Sequence, residues 1–145
     1  WGLLILFGGG LSLAAQISSS GLGIWIGNSL LILSTVPPIL LILAVATLII
    51  FLTEITSNVT TTTTFLPVFG ALAIAIGVLP VSLTVPVCLA ASCAFMLPVA
   101  TPPNAIVYGS NKFTIATMMR AGFALNIVGI LVVTIFAYYF APLIF

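Results

Sequence analysis

The sequence predicts an all-α membrane protein. Of its 145 residues, 63% are hydrophobic and 2% are charged, and the mean hydropathy is +1.49. A soluble domain carries about a quarter charged residues, so this chain lacks the polar groups needed to cover a surface that faces water. Apolar segments of helical length follow one another, separated by prolines and short polar runs. Together these features predict helices that face lipid.

Composition also argues against several functions. The net charge is +1 and there is no basic cluster, which argues against nucleic-acid binding. The chain has no His and a single acid, Glu54, so no general acid–base pair is available and we expect no enzyme. Cys88 and Cys93 lack the spacing of a metal site, and we interpret them as small packing residues. Because the chain enters an apolar run directly at Trp1, we expect it to be a piece of a longer protein.

The apolar segments divide the chain into four parts. The first, residues 1–36, is predicted to hold a transmembrane helix and an interfacial arm helix with Trp25 as its anchor. The second, residues 37–80, is predicted to be a helical hairpin with its tip at 56–60. The third, residues 81–108, is a discontinuous helix with a break at 98–104. The fourth, residues 109–145, is a cytoplasmic loop followed by the last transmembrane helix. Lys112 and Arg120 flank the start of the last helix, which puts that end in the cytoplasm and the C-terminus outside.

The hairpin is predicted from two apolar arms around a polar tip. The first arm runs from Ile39 to Ile55 and the second from Phe65 to Leu79, with the tip at Ser57 and Asn58. A membrane span needs about 20 apolar residues, and both arms are shorter than that. A re-entrant hairpin and two full spans therefore both remain possible.

The discontinuous helix is predicted from adjacent prolines. Residues from Val81 to Leu97 are apolar and predicted to be helical, and the helix then stops at Pro98. Pro102 and Pro103 remove two backbone donors and disfavour a regular turn before them. Irregular backbone at membrane depth is tolerated only where it is buried in protein or lines a cavity, so the two interruptions together predict a site.

The tip has a definite electrostatic character. The last carbonyls of the first arm carry partial negative charge, and the first N–H groups of the second arm carry partial positive charge. A cation is therefore expected on the carbonyl side and a carboxylate on the N–H side. Asn58 offers an acceptor and donors, and Thr56, Ser57 and Thr60 offer hydroxyls. Neutral oxygens such as these suit sodium, by analogy with other hard cations.

Each of these features also has a purely structural interpretation. Ser57 and Asn58 can stop and cap a helix, Thr60 to Thr64 can bond back to preceding carbonyls, and the prolines can form a kink without function. Glu54 lies within a membrane segment, where an acid is functional by default. It is either a proton or cation partner, a member of an ion pair, or a supporting structural residue, and we favour the last.

At these residues the sequence resembles the divalent anion–sodium symporter family, the sodium-coupled di- and tricarboxylate transporters. The matching stretches run from Phe51 to Val59 (FLTEITSNV) and from Ala94 to Ile106 (AFMLPVATPPNAI), and the run LFGGG at residues 6–10 and Asn126 also fit. The resemblance covers essentially the whole chain, as the C-terminal part of a transporter. It implies one half of an inverted-repeat transporter, with a re-entrant hairpin and a broken helix.

The resemblance also implies the site residues. It implies a sodium site made by Thr53, Thr56, Asn58 and the backbone of Ala100. It implies that the substrate carboxylate is contacted by Ser57, Asn58 and Val59, with Thr101 and Pro102 close by. Val59 replaces the Thr of the family motif and removes one hydroxyl, a departure that favours the animal carboxylate branch.

The implied function is sodium-coupled symport of citrate, succinate or a similar di- or tricarboxylate by an elevator-type mechanism in the plasma membrane. The implied partners are the substrate, the bilayer, the missing N-terminal repeat and a second copy in a homodimer. Two alternatives remain: a non-transporting membrane assembly fragment, and a proton-coupled or exchange anion carrier of the same superfamily. A wide channel is disfavoured, because the chain has few polar residues to line it.

Overall fold

The computed structural model describes residues 36–110 and 112–144, together with Ser12, Gln16, Ser19 and Ser20. The part of the chain that it describes is helical, without strands, which agrees with the predicted all-α class. The helices are α1 (Pro38–Thr53), α2 (Asn58–Ala75), α3 (Val81–Ala91), α4 (Pro102–Gly109), α5 (Ile115–Tyr139) and α6 (Ala141–Ile144). The predicted interfacial helix around Trp25 and the glycine run at residues 8–10 lie outside the described residues.

α1 and α2 form the predicted helix–turn–helix unit. Pro38 is the first residue of α1, where its fixed φ and missing N–H fit a helix start. Residues 54–57 connect the two helices; we call them the connection. The second helix begins at Asn58, at the predicted tip, and includes the threonine run and Pro67.

α3 occupies the centre of the described part. It packs against α1, α2 and α5, whereas α1 and α2 contact each other only slightly. The core formed by these four helices is aliphatic apart from one phenylalanine; its fully buried members include Ala46, Ile49, Ile50, Leu83, Val87, Ala90 and Ala137. The free thiol of Cys93 is half-buried against this core, and Cys88 is exposed.

The interruption after α3 is longer than the sequence predicted and begins earlier. Regular helix ends at Ala91, not near Leu97, and resumes at Pro102. Residues 92–101 form the unwound segment, in place of the predicted break at 98–104. Prolines alone do not explain the early end, because Ser92 to Leu97 contain none. The cause is tertiary and lies in α1 and the connection.

Two of the described helices, α2 and α5, are long and apolar enough to cross a membrane. α1 has 16 residues and is therefore about 24 Å long, short of the roughly 30 Å of a hydrocarbon core. α5 exposes a row of large apolar side chains on the face away from the core: Phe123, Val128, Leu131, Val132 and Ile135. This face is suited to lipid or to further membrane helices.

Candidate functional site

Ser57 caps the start of α2. Its extended backbone (φ −77°, ψ 145°) lets its Oγ accept a hydrogen bond from the Thr60 N–H at 3.0 Å, and the same hydroxyl donates to Thr60 Oγ1 at 2.7 Å. The predicted capping role is therefore observed. The N–H groups of Asn58 and Val59 precede the first intrahelical hydrogen bonds, so they point out of the helix end without a partner in it.

An oxygen cluster lies where α1 ends. Thr53 Oγ1 lies 2.9 Å from Asn58 Oδ1 and 2.9 Å from the carbonyl oxygen of Ala91, and Thr53 is fully buried. A hydroxyl carries one hydrogen and can donate to only one acceptor at a time. Three oxygens therefore meet around a single proton. Such a surplus of acceptors over hydrogens is the chemistry that a hard cation satisfies.

The hydroxyl of Thr56 is engaged within the unit. It donates to the Leu52 carbonyl at 2.9 Å and also contacts the hydroxyl of buried Thr61. Farther along α2, Thr62 and Thr63 donate to the carbonyls of Asn58 and Val59, respectively, at 2.8 Å. The back-bonding expected of membrane-helix threonines is thus confirmed at these two positions. Their hydroxyl hydrogens are therefore donated within α2.

Glu54 is hydrogen-bonded to the backbone of the unwound segment. Its side chain is 3% exposed, and its two oxygens accept the backbone N–H groups of Phe95, Met96 and Leu97 at 2.8–3.1 Å. The side-chain amide of Asn126 on α5 donates to Oε1 at 2.8 Å. A carboxylate thus takes the place of the carbonyls that would receive these donors in a continuous helix.

Two further residues, Asn104 and Gly122, contact the unwound segment. Asn104 Nδ2 donates to the carbonyls of Ala94 at 2.9 Å and Leu97 at 3.1 Å. Gly122 on α5 packs against the backbone of Phe95 and Met96, so closely that an added Cβ would lie 2.5 Å from Met96 Cα. Polar backbone in a membrane must be satisfied within the protein, and these contacts do so.

The predicted residues on the far side of this segment have local roles. Thr101 caps α4 by accepting the Asn104 N–H at 3.4 Å, Pro102 is the exposed first residue of α4, and the Ala100 N–H donates to Leu97 O at 3.2 Å. Among the described residues, α1 and the connection are hydrogen-bonded to Ala91 and to residues 95–97. The structure therefore does not bond these three residues to Ser57 or Asn58.

A cleft of about 250 Å³ opens beside the start of α2. It is lined by Asn58, Val59, Thr62, Thr63 and Ser92. Ser92, which the sequence did not single out, comes directly after the last residue of α3. The cleft joins the N-terminal end of one helix to the C-terminal end of another. It offers an anion the positive end of α2, and a cation the carbonyl end of α3.

Sequence reasoning missed Ala91, Ser92 and Gly122, and it gave Asn126 no role. None of the first three belongs to a polar pattern, and only the packing of α3 and α5 reveals them. Asn126 had a detectable signal, because it is a lone amide in a long apolar helix. Such a residue is expected to face a polar partner inside the protein.

The described part thus belongs to the class of helical membrane proteins that place unwound backbone and polar side chains inside the bundle. The family described as the sodium:sulfate symporter transmembrane region matches residues 1–145. The chain belongs to this family of integral membrane transporters, which confirms the resemblance found in the motif stretches.

Two similar proteins have named functions. One is a "sodium-dependent dicarboxylate transporter SdcS" of Staphylococcus saprophyticus, 48% identical over 142 residues, which are 98% of this chain and 27% of that protein. The other, of the same name, is from Staphylococcus aureus and is 47% identical over 144 residues, 99% of this chain and 28% of that protein. The chain spans about a quarter of the length of these curated relatives. Both are bacterial, and the assignment to the animal branch stays a prediction that rests on Val59.

Proposed function

We propose that this chain is the C-terminal part of a sodium-coupled dicarboxylate symporter. The observation that carries the proposal is the oxygen cluster of Thr53, Asn58 and Ala91 beside the free N–H groups at the start of α2. The two relatives are named as sodium-dependent dicarboxylate transporters. The cluster suits the cation of such a symporter, and the helix start suits its anion.

In this proposal sodium is a transported substrate. Thr53 Oγ1 and Asn58 Oδ1 contribute side-chain oxygens, and Thr56 and Ala100 contribute further ligands on either side. When sodium occupies Asn58 Oδ1, the single hydrogen of Thr53 is left to donate to the Ala91 carbonyl. Sodium entry thereby fixes the direction of that hydrogen bond and ties α1 to the end of α3.

The dicarboxylate binds next to the cation. One carboxylate lies at the N–H groups of Asn58 and Val59, with Ser57, Thr101 and Pro102 around it. The sequence has only Lys112 and Arg120 as positive side chains, and neither contributes to the cleft. The charge of the anion is therefore offset by the bound sodium and by the helix end, which links anion binding to cation binding.

The remaining features of the proposal concern the whole transporter. The α1–α2 unit enters and leaves by the same membrane face, and α1, at about 24 Å, supports this because it is short for a span. An N-terminal repeat supplies the other half of the site. The assembled protein works as a plasma-membrane homodimer by an elevator-type movement, with the C-terminus outside.

Uptake measurements test the proposal. The full-length transporter that carries this chain is reconstituted in liposomes, and labelled succinate, malate, citrate and sulfate are offered with an inward sodium gradient or with potassium in its place. We expect concentrative uptake of succinate and malate that requires sodium. Transport of sulfate alone would overturn the substrate class, and uptake of none of these anions would overturn the symporter function.

A further inference from the structure

We propose that Glu54 is a positioning residue of the sodium site: its carboxylate keeps residues 95–97 unwound and thereby keeps the Phe95 N–H away from the Ala91 carbonyl, which accepts from Thr53. This inference rests on the proposed function and adds to it a residue outside the implied ligand set. Glu54 acts through the backbone of the unwound segment and through its neighbour Thr53, without binding sodium or substrate.

The first step is an exchange of hydrogen-bond partners. In a continuous α-helix the Phe95 N–H would donate to the carbonyl of Ala91, four residues earlier. Here that N–H donates to Glu54 Oε1 at 2.8 Å, and the Ala91 carbonyl accepts from Thr53 Oγ1 at 2.9 Å. Thr53, the last residue of α1, thus binds the acceptor of this helical hydrogen bond. Glu54, the next residue in the sequence, binds its donor.

The second step is saturation of the carboxylate. Glu54 accepts five hydrogen bonds from four donors: three backbone N–H groups and the amide of Asn126. A carboxylate offers about four lone-pair positions, so none is left for a sodium ion. The hydrogen-bonding capacity of this side chain is therefore used within the protein.

The third step is the support from α5. Asn126 is fully buried, and Gly122 lies one helical turn before it on the same face. The missing side chain of Gly122 lets α5 approach the backbone of Phe95 and Met96. This close approach brings the Asn126 amide within 2.8 Å of Glu54, so three elements meet at one carboxylate.

Loss of the Glu54 carboxylate has a specific consequence. The released Phe95 N–H can close again on the Ala91 carbonyl and extend α3. Thr53 would then share this acceptor with the Phe95 N–H, which would weaken the contact that holds α1 against α3. Since Thr53 also contacts Asn58, we expect the sodium-binding oxygens to separate and the affinity for sodium to fall.

Glu54→Gln tests this inference in the full-length transporter in liposomes. The Gln amide would present hydrogens to backbone N–H groups, so we expect the sodium concentration for half-maximal succinate uptake to rise at least tenfold. The maximal rate per folded protein at saturating sodium should stay within about twofold. Thr134→Val is the matched control: Thr134 is buried on α5, and its hydroxyl has no hydrogen-bond partner among the residues that the structure describes. This variant should keep the wild-type sodium dependence.

The outcomes separate three cases. Wild-type sodium dependence in folded Glu54→Gln overturns the inference, as does a loss of folded protein with unchanged sodium affinity, which marks a purely structural role. If Glu54→Gln does not accumulate, Asn126→Ala decides, because it removes one donor and leaves the backbone bonds; it should raise the half-maximal sodium concentration two- to fivefold, and no change overturns the inference. Wild-type uptake that ignores sodium would instead overturn the proposed function.

Discussion

Helix is interrupted both at the start of α2 and in the unwound segment, but the polar groups of the two regions differ in whether they have hydrogen-bond partners within the protein. Around the unwound segment, the donors of residues 95–97 and the carbonyls of Ala91, Ala94 and Leu97 all have partners within the protein. At the start of α2, the first N–H groups face an open cleft, and the hydroxyl of Thr53 has two acceptors for one hydrogen.

This difference separates a binding element from its support. Backbone that is fully hydrogen-bonded inside the protein is stable without a ligand, whereas free donors and crowded acceptors in a membrane are stabilised by one. A bound ion or anion would therefore stabilise the start of α2 more than the unwound segment. In the proposed symporter, the start of α2 is the place for ions and substrate, and residues 92–97 hold it in position.

Gly122→Ala is expected to have the largest effect on the supporting region. The new Cβ would clash with the carbonyl oxygen of Phe95 and the Cα of Met96. Both are backbone atoms, which cannot move away by a side-chain rotation. Overpacking of this kind costs about 1–3 kcal/mol. Thermal unfolding of the purified full-length transporter should show a midpoint several degrees lower than wild type.

The control for this change is Gly70→Ala within α2. An added Cβ there meets only the Thr84 methyl group, at an ordinary 3.5 Å. Alanine also favours a helix interior by up to about 1 kcal/mol, so this variant should be neutral or more stable. Equal midpoints for the two alanine variants would refute the close packing of α5 on the unwound segment.

Asn104→Ala should have the next largest effect. The variant leaves the carbonyls of Ala94 and Leu97 without their common donor, at an expected cost of about 1–2 kcal/mol in the free energy of unfolding. Because Asn104 supports the segment from the side of α4, sodium dependence should change less than in Glu54→Gln. Denaturation and uptake of the same preparation measure both quantities. A large loss of sodium affinity with unchanged stability would place Asn104 in the site itself.

Val59→Thr should have the smallest effect. Val59 is 45% exposed in the cleft, so its replacement should change the free energy of unfolding by less than about 0.5 kcal/mol. The added hydroxyl can donate one hydrogen bond to a carboxylate, which is worth about 1 kcal/mol, or about a fivefold lower KM for succinate. Val132→Thr, on the exposed face of α5, is the control and should leave KM unchanged. The same KM in both variants would remove Val59 from the substrate contacts.

The signals of the two helices around the predicted tip are local in the sequence. Ser57 is a preferred capping residue, and Pro38 is a preferred first residue of a helix. The start of α2 at Asn58 agrees with the predicted tip, although a run of threonines has low helix propensity. In the structure Thr62 and Thr63 satisfy their hydroxyls on the preceding carbonyls and so remain helical.

The sequence predicted the unwound segment in kind but not in place. Helix resumes at Pro102, which lies inside the predicted break at 98–104. The end of α3 at Ala91 depends on Glu54, which lies about forty residues earlier, and on Asn126 in α5. No local pattern in α3 reveals such a long-range contact. A buried acid in an apolar chain does indicate that donors must come from elsewhere in the fold, but it does not say which ones.

The most direct test of the division into site and support is the sodium dependence of succinate uptake in Asn58→Ala. Loss of one ligand oxygen and of the Thr53 contact should lower sodium-driven uptake at least about 100-fold, equal to roughly 3 kcal/mol, in protein that inserts into the membrane and unfolds like wild type. Ser110→Ala, in the exposed turn after α4, should transport normally. Wild-type uptake and sodium affinity in Asn58→Ala would contradict a site at the start of α2.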